Sequence, residues 1–191
     1  SLDLPLLLDE IERSATACTS ATACTFGEET VVNIELAERL ARTSLRSRLQ
    51  RLDLAGCGVV VVSEATILYF AREFTSLVDL SLPIMFRGRL DFYESLSEAR
   101  PELARLNINC DSWADDECVR VVCERLRLES LGLAGRCRIS PDVVNVILES
   151  PCAQQTLKEA DLAYIDFMGS CETLNFVLGC PNLANLSWEV P

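Results

Sequence analysis

The sequence predicts an α/β solenoid, and three observations support this fold class. A short leucine pattern, L-x-x-L-x-L, occurs in six copies, three exact and three with one substitution, and successive copies begin 25 to 29 residues apart. A segment with helical spacing of apolar residues separates each copy from the next. A unit of this length cannot be stable alone, because ordering about 26 residues costs roughly 40 kcal/mol at ~1.5 kcal/mol per residue. Stacking the units side by side offsets that cost.

The leucine pattern predicts a short strand in every unit. The clearest copy is Leu103–Cys110, which reads L-x-x-L-x-I-x-C. The other copies are Leu49–Cys57, Leu77–Leu82, Leu128–Leu133 and the weaker Leu157–Leu162 and Leu183–Trp188. Because strand side chains alternate, the leucines point into the core and the residues between them face solvent. Neighbouring strands then form a parallel sheet on the concave face, with helices on the convex face.

The beginning of the chain departs from this period. Ser1–Pro5 matches the second half of a unit, and a Ser/Ala/Thr-rich stretch with an exactly duplicated hexapeptide follows at Ser14–Thr25. Such small side chains bury too little surface to offset their ordering entropy, so we predict a flexible insertion at about 12–28. We expect residues 1–191 to form a single domain of about six to seven repeats. The last unit lacks the polar cap that a solenoid needs, which predicts a fragment of a longer array.

Helices are predicted between the strands, at about 31–42, 63–73, 90–99, 115–126, after Ser140 and after Ser170. Ser63 is a good N-cap, and Ser140-Pro141 combines an N-cap with proline at the first helical position. The acidic run Asp115–Glu117 suits a helix N-terminus, where the helix dipole favours negative charge. The first helix is predicted from Val31, Ile34, Leu36 and Leu40, which occur near helical spacing. In the last helix, Leu174, Val177 and Leu178 are predicted to face inward.

Three stretches extend the leucine pattern with cysteine: Leu49–Cys57, Leu103–Cys110 and Cys180–Leu183. They resemble the leucine-rich repeat family, in particular its cysteine-containing, ribonuclease-inhibitor-like branch, whose unit reads roughly LxxLxLxxC, a helix and then C-P-x-L. The resemblance implies a horseshoe that binds protein partners on its concave face. In this branch, such arrays are typically the substrate-recognition part of F-box ubiquitin-ligase receptors or other intracellular scaffolds.

Composition favours a binding protein over an enzyme. The chain has no histidine, which excludes Ser-His and Cys-His nucleophiles and histidine-bearing metal sites, and we predict no cofactor and no metal. The net charge of −12 argues against nucleic acid as a partner, because that partner needs a basic face. No apolar run approaches the roughly 20 residues that span a bilayer, so no membrane partner is expected.

Ten cysteines are present, mostly within apolar pattern and without a secretory signal. This arrangement predicts reduced thiols that pack like small apolar side chains, in the cytoplasm or nucleus. Cys18 and Cys24 lie in the Ser/Ala/Thr-rich stretch, where redox-sensitive thiols are an alternative. Inert thiols are the expected outcome, because reactivity requires a lowered pKa and only Arg13 is a nearby cation in the sequence.

The predicted binding surface consists of the solvent-facing residues of the strands, in two rows. The first row is Arg51, Asp79, Arg105, Ser130, Glu159 and Asn185, and the second is Asp53, Ser81, Asn107, Gly132, Asp161 and Ser187. Short polar side chains leave the sheet open to a partner, and an arginine in the first row could anchor a carboxylate or phosphate. The sequence therefore predicts a non-catalytic protein–protein interaction module.

Two enzyme-linked alternatives follow from the resemblance. A ubiquitin-ligase receptor needs an F-box in its full-length chain, and Leu4–Ile11 matches only the Leu-Pro start of that motif. A GTPase-activating repeat protein, which this fold also hosts, needs a catalytic arginine or asparagine on a loop at a strand edge. Arg87, Arg89 and Arg136 occupy such loops, and nothing in the sequence distinguishes one of them.

Overall fold

A computed structural model of the protein describes residues 22–26, 31–57, 62–83, 86–108, 113–133, 138–140, 142–163 and 170–188. Seven strands form one parallel sheet in which neighbours in sequence are neighbours in space. Each strand has three residues: β1 (Ala23–Thr25), β2 (Arg51–Asp53), β3 (Asp79–Ser81), β4 (Arg105–Asn107), β5 (Ser130–Gly132), β6 (Glu159–Asp161) and β7 (Asn185–Ser187). The strands are adjacent in chain order and helices connect them, as predicted for a leucine-rich repeat solenoid.

The central residue of every strand contributes to one core row. The residues aligned in this row are Cys24, Leu52, Leu80, Leu106, Leu131, Ala160 and Leu186. The backbone ladder continues one residue beyond the strands, since the Leu82 N–H donates to the Asn107 carbonyl at 2.8 Å and the Ile108 N–H to the Gly132 carbonyl at 2.9 Å. The register therefore places equivalent positions of all units side by side.

The first strand lies where we predicted part of a flexible insertion, and the prediction is wrong for Ala23–Thr25, which form β1 and pair with β2. Cys24 aligns with Leu52, and Phe26 takes the place of Leu54 and is buried. Cysteine and phenylalanine thus occupy two positions where the other units have leucine. The leucine pattern therefore does not detect this unit, although its length is ordinary. Ser1–Pro5 and the remainder of the predicted insertion at 12–28 lie outside the described residues.

The helices cover the sheet on its other side. They are α1 (Ile34–Ala41), α2 (Glu64–Glu73), α3 (Leu90–Ala99), α4 (Asp116–Arg125), α5 (Val143–Glu149), α6 (Pro151–Thr156) and α7 (Ser170–Gly179), with a 3-10 turn at Ser44–Ser47. Their inward side chains meet the strand leucines in one continuous core. Within it Phe86 packs edge-on against Phe92 with ring centroids 4.8 Å apart, and Phe92 packs against Tyr93 at 5.1 Å.

Two of the predicted helix starts are confirmed by their capping bonds. The Ser63 hydroxyl accepts from the Thr66 N–H at 3.2 Å, and the Asp115 carboxylate accepts from the Cys118 N–H at 3.1 Å. Each bond satisfies one of the amide groups that a helix leaves without an internal partner.

The helix predicted after Ser140 begins at Val143, with Asp142 at its N-cap position. The Ser140 hydroxyl accepts from the Asp142 N–H at 3.0 Å, as a capping serine does, and it also donates to Asp116 at the start of α4. The second Ser-Pro pair of this unit starts a helix directly, because the Ser150 hydroxyl caps α6 by accepting from the Ala153 N–H at 3.2 Å and Pro151 is its first residue. Both serines therefore accept a capping bond, and Ser140 in addition joins its loop to the preceding unit.

The predicted inward face of the last helix is wrong. In α7, Leu174, Val177 and Leu178 are exposed, whereas Thr173 and Phe176 are buried. Of the apolar residues that predicted the first helix, Leu36 and Leu40 are buried, whereas Val31 and Ile34 are exposed. In both helices apolar residues occur on two sides, so periodicity alone gives two possible faces, and contact with the adjacent unit selects one.

Candidate functional site

The two predicted rows of residues lie on one face of the sheet, which we call the concave face. Register places Arg51, Asp79, Arg105, Ser130, Glu159 and Asn185 across six successive strands, and Asp53, Ser81, Asn107, Gly132, Asp161 and Ser187 two residues further along them. Side chains two residues apart on a strand point to the same side, so the twelve positions form one surface.

This face contains a groove of about 510 Å³. From the two rows it is lined by Arg51, Asp79, Ser81, Arg105, Asn107, Ser130, Gly132, Glu159, Asp161, Asn185 and Ser187. Asp53 lies at the end of the face, outside this lining. Ser81 and Gly132 are buried, unlike the exposed positions that strand alternation predicts. Larger neighbours shield these small residues, which form part of the floor of the groove.

At one end of the groove, Arg51 lies between two carboxylates. Its Nη2 atom is 3.5 Å from Asp53 Oδ2, and its Nε atom is 3.8 Å from Asp79 Oδ2. The Arg51 side chain is 54% exposed, so water screens both ion pairs and each contributes little to stability. The charge of Arg51 is therefore already partly balanced within the protein.

Partial burial in this face affects the ionisation of the Asp79 carboxylate. Burial raises its pKa above the ordinary value of 3.8, and the negative charges of Asp53 and Glu159 act in the same direction. Arg51 and Arg105 oppose this shift by stabilising the ionised form. An acidic group is thus held between two guanidinium groups on neighbouring strands.

Arg105, at the centre of the sheet, differs from Arg51. Among the residues that the structure describes, no carboxylate oxygen lies within 4.0 Å of its guanidinium nitrogens. Its neighbour on β5 is the small Ser130, and Gly132 follows two residues later. A partner can therefore approach this guanidinium group without first displacing an ion pair.

Acidic side chains occupy the far end of the groove. Glu159 Oε1 is 3.4 Å from the Asn185 amide nitrogen, and Asp161 Oδ1 accepts from the Ala163 N–H at 3.3 Å. Both carboxylates face the groove on β6. Beside them Lys158 pairs with Glu129 at 2.8 Å, and this bond lowers the pKa of Glu129. The groove consequently has a positive centre at Arg105 and a negative end at β6.

Three described cysteines, Cys24, Cys57 and Cys123, have the character expected of inert thiols. Burial raises the pKa of Cys24 and of Cys57 to about 11, and that of Cys123 to about 12. A thiol with such a pKa is almost entirely protonated at neutral pH and is a poor nucleophile. Cys18 lies outside the described residues. In the part of the chain that the structure describes, no three potential ligands converge on a metal position.

The loop arginines considered for GTPase activation have a different environment. Arg87 and Arg89 lie over the ring of Trp113, together with Arg138 from a third loop. Sequence reasoning missed this arrangement, because the four residues span three separate units. Arg136 lies outside the described residues, so the GTPase-activating alternative stays a prediction.

Comparison with known proteins yields little beyond this geometry. No protein-family model matches the chain, and no curated protein matches it. Among 42 matching solved chains, one comes from a crystal structure of a TLR13–ssRNA13 complex, with 15% identity and a TM-score of 0.47. The match covers 74% of this chain and 26% of that one, so this chain spans about a quarter of its length. Such a likeness carries no argument about binding.

The topology of the sheet and the register between its strands define the fold. Within the described part of the chain, no helix has both the length and the apolar character required to cross a bilayer. The prediction that nucleic acid is not a partner rests on net charge alone and stays a prediction.

Proposed function

We propose that the protein is a non-catalytic interaction module whose concave face binds a segment of another protein. The observation that carries this proposal is the polarity of the groove. Its centre holds Arg105, which has no ion pair among the described residues, and its end holds two carboxylates. The proposed contact residues are the two rows of the concave face, from Arg51 to Asn185 and from Asp53 to Ser187.

The geometry supports a partner with opposite charges at a defined spacing. Arg105 and Glu159 lie on strands two positions apart, which corresponds to about 10 Å across a sheet. An acidic side chain of the partner would pair with Arg105, and a basic side chain would pair with Glu159 and Asp161. Between these charges, Ser130 and Gly132 leave room for the backbone of the partner. Complementary charges of this kind fix the register of a bound segment.

A narrower proposal concerns the branch of the family. Cys57 and Cys180 are buried at the positions where the ribonuclease-inhibitor-like unit carries cysteine. Their packing as small apolar side chains supports that branch, and with it a reducing compartment, the cytoplasm or nucleus. The role typical of the branch is substrate recognition in an F-box ubiquitin ligase. Finding an F-box in the flanking sequence of the full-length chain would support this role, and its absence there would oppose it.

The concave-face proposal is tested by site-specific photo-crosslinking followed by affinity measurement. A photoreactive amino acid replaces Ser130 in the groove or, as a control, the exposed Asn145 on α5. We expect a partner that crosslinks from position 130 and not from position 145. With that partner purified, Arg105→Glu and Glu159→Arg should each weaken binding by about tenfold or more, because each replaces an attraction with a repulsion.

Arg120→Glu is the matched control for these charge reversals. Arg120 is on α4, where it pairs with Glu149 and Glu117, away from the concave face. Its reversal should leave the affinity for the partner unchanged. Equal affinity of the wild type and Arg105→Glu for every crosslinked partner would overturn the proposal.

A further inference from the structure

Three arginines surround one tryptophan where the chain leaves β3, β4 and β5. The guanidinium carbons of Arg87, Arg89 and Arg138 lie 5.8, 5.7 and 5.4 Å from the ring centroid of Trp113. All four residues come from loops that follow the carboxyl ends of adjacent parallel strands, so they meet at one edge of the sheet. We call these four residues the arginine–tryptophan cluster.

Gly88 positions two of the arginines. A Cβ atom at this residue would lie 2.7 Å from the Phe86 ring, 3.1 Å from Phe92 and 3.2 Å from Tyr93. Only glycine fits against these three packed rings. Gly88 is buried, whereas Arg87 and Arg89 on either side of it are exposed. The centre of the loop therefore packs against the core, and both arginine side chains face solvent.

The third arginine is positioned from the other side of Trp113. The Arg138 N–H donates to the carbonyl of Ala114, the residue after Trp113, at 3.1 Å. Two residues further on, the Ser140 N–H donates to Asp116 Oδ1 at 2.8 Å. These bonds join the loop after β5 to the start of α4. The cluster is therefore held by backbone contacts in addition to the cation–π contacts of its side chains.

The cluster concentrates positive charge on a protein with a net charge of −12. Three guanidinium groups near one ring are separated by no more than about 12 Å, close to the Debye length of ~8–10 Å at physiological salt, so they repel one another. Among the described residues, no carboxylate lies within 4.0 Å of any of them. The nearby Asp115 and Asp116 are occupied by bonds to Cys118 and Ser140. An added anion would relieve this repulsion.

We propose that the arginine–tryptophan cluster binds the dianionic phosphate group of a phosphoserine or phosphothreonine on a protein partner. A cation–π contact leaves the N–H donors of arginine available, and these donors match phosphate oxygens in bidentate pairs. A phosphate monoester has three acceptor oxygens and nearly two negative charges at neutral pH, which suits three donors better than one carboxylate does. An extended polyanion would instead meet the acidic remainder of the protein.

The site is tested by the fluorescence of Trp113 in the full chain. The protein has two tryptophans, so Trp188→Phe leaves Trp113 as the single reporter. In this background, titration with N-acetyl-phosphoserine amide should give a saturable change that N-acetyl-serine amide does not give at equal ionic strength. Arg87→Gln, Arg89→Gln and Arg138→Gln combined should raise the dissociation constant at least about tenfold, because bonds to charged groups are lost.

A second triple variant controls for net charge. Arg46, Arg120 and Arg125 are ion-paired on the helical side at 2.9, 2.6 and 2.9 Å, and their replacement by glutamine removes the same total charge. This variant should keep the phosphoserine affinity. Arg105→Glu should also keep it, which separates this site from the concave-face proposal. Circular dichroism of each variant confirms that it is folded.

Several outcomes would overturn the inference. One is a folded wild type without a saturable response to phosphoserine amide. Another is a response that survives loss of the three cluster arginines. Tighter binding of inorganic phosphate than of phosphoserine amide would assign the site to free phosphate. Tighter binding of a short single-stranded RNA that depends on the same arginines would assign it to nucleic acid.

Discussion

The concave face and the arginine–tryptophan cluster both present arginine, but in opposite electrostatic settings. On the concave face, Arg51 is 3.5 Å from Asp53 and 3.8 Å from Asp79, so that much of its charge is balanced within the sheet. At the cluster, Arg87, Arg89 and Arg138 contact an aromatic ring instead of carboxylates. The first surface is suited to charge-patterned recognition and the second to a compact anion.

The difference follows from how each surface is built. Strand register places side chains of successive units about 4.8 Å apart, so alternating charges on neighbouring strands neutralise one another. Loops after the strands are not tied to this spacing, and two of them can direct like charges towards a tryptophan on a third. A repeat protein can thus have a sheet face with charges of both signs and a loop edge with charges of one sign, from the same set of units.

Removing a core leucine tests whether the concave face and the arginine–tryptophan cluster depend on the same part of the core. Leu106 is 1% exposed in β4, between Arg105 and Asn107, and β4 leads to the loop of Trp113. Leu106→Ala should lower the free energy of unfolding by about 2–5 kcal/mol, since it leaves a cavity in the continuous core. Urea denaturation measures this loss.

Leu186→Ala is the matched control for the core substitution. Leu186 holds the equivalent position in β7 but is only half-buried, so its truncation should cost clearly less. Equal losses at the two positions would mean that the last unit is as tightly packed as the central one.

Replacing Gly88 tests the arginine–tryptophan cluster separately from the concave face. Gly88→Ala should destabilise the protein by about 1–3 kcal/mol, because the new methyl group meets the Phe86 ring within a cluster of three rings. It should also displace Arg87 and Arg89 and weaken phosphoserine binding, while leaving the concave face unaffected. Thermal unfolding and the Trp113 titration measure the two effects.

Gly179→Ala provides the contrast for this substitution. The added methyl group there would meet the end of the flexible, partly exposed Leu148 side chain, which can move away. Alanine also favours the helix in which Gly179 lies. We expect a change in stability close to zero or slightly favourable, and a loss as large as that of Gly88→Ala would contradict the role assigned to the aromatic rings.

The smallest effect is expected from the pH dependence of Asp79. Because its pKa is raised, the folded protein keeps a proton on Asp79 to a higher pH than the unfolded chain does. The contribution of this group to the free energy of unfolding therefore falls as the pH rises from 3.8 to the raised pKa, and stays lower above it. Asp79→Asn should remove that slope and be at least as stable as the wild type at pH 7.

Urea titrations between pH 3.5 and 7 would measure the effect of Asp79. The exposed Glu124 on α4 gives a control, since Glu124→Gln should leave the Asp79 slope in place. If Asp79→Asn were markedly less stable at pH 7, the ion pair with Arg51 would outweigh the cost of desolvation. Ion pairs would then stabilise the concave face more than we infer.

Some features of this fold were predictable because they repeat. The leucines of β2 to β5 recur at a nearly constant spacing, and each is buried where strand alternation requires it. β1 was missed because Cys24 and Phe26 occupy leucine positions. Ser140 and Ser150 carry the same Ser-Pro signal and both accept a capping bond, but the additional bond from Ser140 to Asp116 of the preceding unit could not be read from the sequence. In α7, Phe176 faces inward instead of Leu178, because packing on the previous unit sets the rotation of the helix.

By itself, the sequence determined that the chain is an α/β solenoid with leucine-patterned strands and which polar residues share the face of its sheet. Both follow from periodicity, since the burial of a strand residue depends on its position within the unit. Only the tertiary structure decided which arginines are paired and brought Arg87, Arg89 and Arg138 around Trp113. Arg87 and Arg89 lie in one loop, 26 and 24 positions before Trp113, and Arg138 lies 25 positions after it. Their convergence depends on how loops pack between units, which no repeating pattern encodes.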